Sequence, residues 1–297
     1  MKMIKKNRFI ITSHGWSASN WLAYALSSHP DIIATHSAAN LYNEQLTNDI
    51  QGKVKQFHKG YVNRQNITIS EAYQKIIAFG DAKSYGSVHL YRLRDLPIVH
   101  SKFGEDKNTY KTFNLIRHPI NLVLSGYGQF KELFKTDINE LHWTLSKIIK
   151  DKEEINEICD HHNILPGELN NLSFIGACCV LGSLELDQNA YQETLKIPHI
   201  DYIDTIKMEE ITTSKQVMKD LLYRINPELD VSDEYLNSIY TLKQINTHNK
   251  YNNKTPQKIY FELASWQREV LNYYLKKHRI IEAYEHYNYD FSFCKEE

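Results

Sequence analysis

Apolar and polar positions along the chain switch between a strand-like and a helix-like spacing. Phe9, Ile10 and Ile11 form a short β-branched and aromatic run that predicts a buried strand. A small polar loop follows, and then Trp21, Leu22, Tyr24, Ala25 and Leu26 recur at helical spacing. Asp31 to His36 reads as a second strand, and the polar stretch from Asn40 to Ile69 as an irregular surface excursion. Ser70 can cap a helix carrying Ala72, Tyr73, Ile76 and Ile77 on its apolar face, with Gly80 ending it. Lys111 to Ile116 predicts a third strand running into Arg117-His-Pro119, where Pro119 suits the first turn of a helix through Leu122, Val123, Leu124 and Tyr127. Helices are expected near 138–160, 168–186, 214–225, 232–245 and 261–284, and a further strand over 197–206.

Strands alternating with helices predict an α/β fold: three layers around a mainly parallel sheet, with a helix-rich C-terminal half. No shift in composition marks a boundary, so residues 1–297 are expected to form a single domain. With 42% hydrophobic and 24% charged residues the composition is that of an ordinary soluble protein. A net charge of −1 gives no general attraction to nucleic acid or anionic membrane, so any anionic ligand must be held by a local cluster. The four cysteines, Cys159, Cys178, Cys179 and Cys294, have no metal-site spacing, and a disulfide framework is not expected. The apolar run after the basic N-terminus is too short for a signal peptide, and no membrane span is expected, so the default location is the cytoplasm. The sequence carries no signal for the oligomeric state.

Three groups of residues could carry chemistry. The loop from Ser13 through His14, Gly15, Trp16, Ser17, Ala18, Ser19 and Asn20 to Trp21 joins a strand to a helix. That geometry aims backbone N–H groups at an anion, with hydroxyls at Ser13, Ser17 and Ser19 as further donors. A serine that merely caps the helix would account for the same residues. The loop lacks the Gly-x4-Gly-Lys-Ser/Thr pattern of a Walker P-loop. Arg117 ends a strand, and Ser125 stands two helical turns further on, where guanidinium and hydroxyl could grip one phosphate; a surface arginine and a solvated serine would look alike. Lys83 follows a helix end and could reach the carboxyl edge of the sheet, where open α/β sheets bind ligands.

Taken together these segments resemble the sulfotransferase family, which uses 3′-phosphoadenosine 5′-phosphosulfate as donor. Gly15-Trp16-Ser17-Ala18-Ser19-Asn20-Trp21-Leu22 occupies the place of that family's first loop, and Leu26-Ser-Ser-His29-Pro30-Asp31 is similar to its helix end and turn. Leu115-Ile-Arg117-His-Pro119-x5-Ser125-Gly-Tyr127 is similar to the segment that holds the 3′-phosphate, and Ile206-Lys-Met-Glu209-Glu210-Ile211 to a stretch before a late helix. The resemblance implies a P-loop-NTPase-like sulfotransferase fold. It assigns the 5′-phosphosulfate to residues 13–21 and the 3′-phosphate to Arg117 and Ser125. The reaction implied is metal-free transfer to a hydroxyl or amine of a small molecule, carbohydrate or protein.

The chain departs from the family pattern where Trp16 replaces the usual basic residue, Ala18 a glycine, and Asn20 a threonine. The lost cation would have stabilised charge on the leaving phosphate oxygen. His14 or Lys83 could compensate, and Lys83 matches a lysine that some branches place near the sulfuryl group. A catalytically impaired nucleotide-binding module is the alternative, and a divergent P-loop kinase a third. For the acceptor's base, His36 stands where some branches carry a catalytic glutamate, with Glu44 and His100 as rivals. Lys250 and Lys254 lie in a polar segment before the last helices and read as solvated.

Overall fold

The apolar run at Phe9–Ile11 becomes the centre of β1 (Asn7–Ser13), the first element of a sheet whose strands come from distant parts of the chain. The structure, a computed structural model, describes residues 6–36, 67–241 and 254–294, with residues 46–49 and 54–57 as backbone. After β1 come α1 (Ser19–Ser27), β2 (Ile32–His36), the short strands β3 (Leu46–Asp49) and β4 (Val54–Phe57), α2 (Ile69–Ile77), β5 (Ser84–Val88), α3 (Asp95–Phe103) and β6 (Tyr110–Ile116). Five helices follow: α4 (Pro119–Thr136), α5 (Ile138–Ile148), α6 (Lys152–His161), α7 (Leu169–Cys178) and α8 (Val180–Asn189). The turn α9 (Tyr191–Thr194) leads into β7 (Ile200–Lys207), which is followed by α10 (Met208–Ile211), α11 (Lys215–Ile225) and α12 (Asp233–Tyr240). The chain ends through α13 (Pro256–Glu262), α14 (Ser265–Lys277) and α15 (Ile280–Glu285).

The chain divides into two compact units, Met1–Arg117 with Asn189–Asn246, and His118–Gln188 with Thr247–Glu297. The first holds the whole sheet, in the order β3-β4-β2-β5-β1-β6-β7. The five strands β2-β5-β1-β6-β7 are parallel throughout, and β3 and β4 form an antiparallel pair at one edge. One face buries Phe9, Ile11, Val88, Phe113 and Leu115 against α1, α11 and α12. The other buries Ile10, Tyr85 and Tyr110 against α2 and α3. The expected three-layer α/β arrangement around a mainly parallel sheet is therefore present within this unit.

Three local readings change. Two short strands lie within the stretch expected to be irregular; the remainder of 40–66, Glu44 included, lies outside the described residues, as do Lys250 and the tail of the helix expected over 232–245. The cap of α2 is Thr68, not Ser70: its hydroxyl accepts from the Glu71 amide and the Glu71 carboxylate returns the bond to the Thr68 amide. The single helix expected over 261–284 is three. The Thr255 hydroxyl caps α13, Leu263 leaves the helical conformation, and Arg279 adopts φ +50° before α15.

The second unit is helical. Phe174 of α7 lies between Tyr127 of α4 and Trp266 of α14, with ring centroids 5.4 and 5.5 Å away. Gly176 allows close packing there, since a Cβ would stand 2.7 Å from the Thr144 methyl. Cys178 and Cys179 are buried and, like Cys159 and Cys294, are free thiols. The run Leu169–Thr194 is long and apolar enough to cross a membrane by length and composition, which the sequence reading did not anticipate. About half of that run is buried within the structure, and α7 itself buries Ser173 to Cys178.

Candidate functional site

Parallel register brings the carboxyl ends of the central strands into one row. Val88 lies opposite Ile11 on one side and His36 on the other, and Ser13 lies opposite Leu115. The residues that leave these ends are therefore neighbours: the 14–18 loop from β1, His36 closing β2, His89 after β5, and Arg117 after β6. A ligand approaching the carboxyl edge of an open α/β sheet meets them together.

The loop is shaped by its backbone. Gly15, Trp16 and Ala18 have φ of +95°, +52° and +54°, whereas Ser17 between them does not share this conformation. Only glycine adopts positive φ without cost, so Trp16 and Ala18 are held there by their surroundings. Backbone of alternating hand, as at Trp16, Ser17 and Ala18, is a conformation in which successive N–H groups can converge on an anion. Ala18 is the N-cap of α1 and offers no side-chain cap to the first turn, the end of a helix that favours negative charge.

Of the three hydroxyls expected to face a ligand, two are engaged within the loop. Ser13 Oγ accepts from the Gly15 amide at 3.2 Å, and Ser17 Oγ donates to the Gly15 carbonyl at 3.0 Å; each residue is 1% exposed. The third, Ser19, is the first residue of α1, and its Oγ lies 3.0 Å from His36 Nε2. Asn20 is half-buried on α1, and the Trp21 ring packs on Tyr240 at 5.6 Å. His14 lies beside Trp16, ring centroids 6.2 Å apart.

Arg117 donates from Nη1 to the Trp16 carbonyl at 2.6 Å. A cation is thus fastened to the loop position where the sequence itself has a tryptophan. Ser125, its companion in the sequence pattern, is half-buried on α4 of the helical unit. His118, next to Arg117, caps α4: Nδ1 accepts from the Ile120 amide and Nε2 donates to the Asp290 carbonyl.

Lys83 does not join this group. It immediately precedes β5, and its carbonyl accepts from the Asn7 amide at the start of β1. The length of β1, about 20 Å at 3.3 Å per residue, separates it from the loop. Its ammonium instead pairs with Asp31 at 2.8 Å, which raises its pKa. The expectation that it would reach the carboxyl edge fails because residues 84–88 form a strand after it.

His36 ends β2 at the right edge, but in an environment unlike that of a base. It is 8% exposed, and burial lowers its pKa from 6.5 to about 3. At neutral pH it is uncharged and weakly basic. His100, the other histidine considered for that role, lies on α3 with its ring 5.4 Å from His199.

His89 is the site residue the sequence did not reveal. It has φ +64°, its ring stacks on that of His36 at 5.8 Å, and its Nδ1 lies 2.7 Å from the Ser13 carbonyl. A carbonyl only accepts, so Nδ1 carries the proton and the neutral ring keeps its lone pair on Nε2. That edge faces Gly15, where a Cβ would stand 3.4 Å from Cε1 and 3.5 Å from Nε2. Arg92 and Arg94 stand in the same turn after β5, ahead of α3. The signal that could have found His89 is its place at the end of a buried strand, but that strand has no apolar run.

No protein-family model and no curated protein matches the chain. Among solved structures it is similar to a sulfotransferase from Alicyclobacillus acidocaldarius, at 13% identity and a TM-score of 0.47, over 98% of this chain and 99% of that one. It is also similar to the mouse sulfotransferase SULT7A1 complexed with PAP, at 12% identity and a TM-score of 0.46, over 95% of this chain and 90% of that one. Likeness at this level leaves the chemistry to be argued from the residues of the site.

Proposed function

We propose that the chain is a sulfotransferase, moving a sulfuryl group from 3′-phosphoadenosine 5′-phosphosulfate to a hydroxyl or amine acceptor by in-line displacement. The observation that carries this reading is the uncapped start of α1 behind a loop of positive-φ residues, with His36, His89 and Arg117 delivered beside it by other strand ends. The phosphosulfate end of the donor is an anion that needs converging N–H groups and little side-chain bulk, and residues 13–19 fit it. The first-turn amides and Ser19 hold that end, and Arg117 adds positive charge through its bond to the loop. The 3′-phosphate is assigned to Arg117 and Ser125 by the sequence pattern alone.

His89 takes the base role that the sequence reading gave to His36. Nδ1 donates to the Ser13 carbonyl, and Nε2 is the atom that takes the acceptor's proton as its oxygen or nitrogen bonds to sulfur. The sulfur–oxygen bond to the donor's phosphate breaks in the same displacement, and positioning supplies much of the rate. The acceptor's class, small molecule, carbohydrate or protein, is left open by this chemistry.

Calorimetry tests the first half of the reading: 3′-phosphoadenosine 5′-phosphate should bind and ATP should bind far more weakly, and equal affinity would overturn it. Formation of sulfated product from labelled donor tests the second. Binding without turnover would favour a nucleotide-binding module, the reading for which Trp16 in place of a loop cation speaks.

A further inference from the structure

We propose that His36 is a positioning residue: it donates from Nε2 to Ser19 Oγ and thereby turns the Ser19 proton toward an anion at the first turn of α1. The inference rests on the reading of residues 13–19 as an anion site. Ser19 Oγ and His36 Nε2 are 3.0 Å apart, both residues are more than nine-tenths buried, and His36 Nδ1 has no partner among the described residues.

Two neutral tautomers are available to the ring, and the surroundings choose between them. With the proton on Nδ1, a buried N–H would have no acceptor, an arrangement folded proteins almost never keep. With the proton on Nε2, only a lone pair goes unmatched, which is tolerated more often. Nε2–H is therefore the donor and Ser19 Oγ the acceptor. A hydroxyl has one proton and two lone pairs. Once a lone pair of Ser19 is filled by His36, its proton is released for another partner, and Ser19 sits among first-turn amides that have no side-chain cap. The opposite tautomer would draw the Ser19 proton toward the ring and present a lone pair to the anion. The His36 ring lies beside that of His89, centroids 5.8 Å apart and planes 27° from parallel.

The consequence is a hydroxyl whose polarity is set by a residue that does not itself touch the ligand. It also explains why a histidine with so little basicity occupies a strand end beside the site: its task is donation, and a buried neutral ring donates across a wide range of pH.

The test uses the full chain in two measurements. Nitrogen-15 NMR of the imidazoles, without ligand, should show His36 as the Nε2–H tautomer; the Nδ1–H pattern would overturn the proposal. Calorimetry with 3′-phosphoadenosine 5′-phosphate, and separately with inorganic sulfate, should show His36→Leu weakening binding about tenfold, the loss expected for one oriented hydrogen bond to a charged group. His36→Gln, whose amide N–H can replace Nε2–H, should recover most of it. In a Ser19→Ala background His36→Leu should add nothing, and a full additional loss there would refute action through Ser19. Should His36→Leu fail to fold, the tautomer and the glutamine variant still decide. Nε2–H in a chain that binds neither anion would sink the anion-site reading and leave the tautomer standing; Nδ1–H in a chain that binds both would sink the positioning role alone.

Discussion

Acid should weaken the fold through His36, and the size of the effect follows from its burial. Its folded pKa is depressed from 6.5 to about 3 because the charged ring loses hydration in the sheet edge. Above pH 6.5 the ring is neutral in both folded and unfolded chains and contributes no pH dependence. As the pH falls, the unfolded chain binds a proton that the folded chain refuses, so stability is lost through the window from 6.5 to about 3. At 1.36 kcal/mol per unit, the whole window corresponds to about 5 kcal/mol, and the part reached by about pH 5 to about 2 kcal/mol. Urea unfolding followed by circular dichroism at about pH 8, 6 and 5 measures it, in the wild type and in His36→Gln. The difference between the two curves isolates this residue from the other histidines. Wild type should lose about 2 kcal/mol more than the variant between pH 8 and pH 5. Parallel curves would mean that His36 is hydrated in the folded chain, and the argument from burial would fail.

Gly86→Ala should be strongly destabilising, because a Cβ there would stand 2.2 Å from the Phe9 ring on the neighbouring strand; a thermal midpoint within a degree of wild type would contradict that packing. Thr68→Ala should cost about 1 kcal/mol in urea unfolding through loss of the α2 cap, with no change in ligand affinity. Arg117→Ala should remove any preference for the 3′-phosphate and weaken binding at the loop. Arg117→Lys should restore little, since an ammonium lacks the planar fork that lets one guanidinium hold the Trp16 carbonyl with one arm and face an anion with the other. Lys83→Ala should leave nucleotide affinity and turnover unchanged, and a large loss in either would show that the far edge of the sheet takes part.

The parts of the fold legible in the sequence were those whose burial is written in apolar side chains. Phe9–Ile11 and Lys111–Ile116 are strands because they lie inside the sheet with both faces covered, and their composition says so. β5 is as central, but it reads Ser-Tyr-Gly-Ser-Val. Gly86 yields its space to the Phe9 ring, and Ser84 and Ser87 are buried with hydrogen bonds, so no hydrophobic run announces the strand. Missing β5 hid His89 and put Lys83 at the wrong edge, one omission with two consequences for the site. The loop at 13–21 was legible as a turn from strand to helix, yet which of its hydroxyls remain available depends on bonds to Gly15 and His36 that spacing cannot reveal.

Because the site is gathered from residues near 13, 36, 89 and 117, no fragment of the chain carries it. Parallel strands cannot be closed by a tight turn, so each contribution waits for a long crossover to be in place before it meets the others. Ligand affinity in this protein is then a gauge of how much of the sheet has formed. Any ligand that needs all four, present at a hundred times its dissociation constant, would hold the assembled state by about 2.7 kcal/mol over a partly built one.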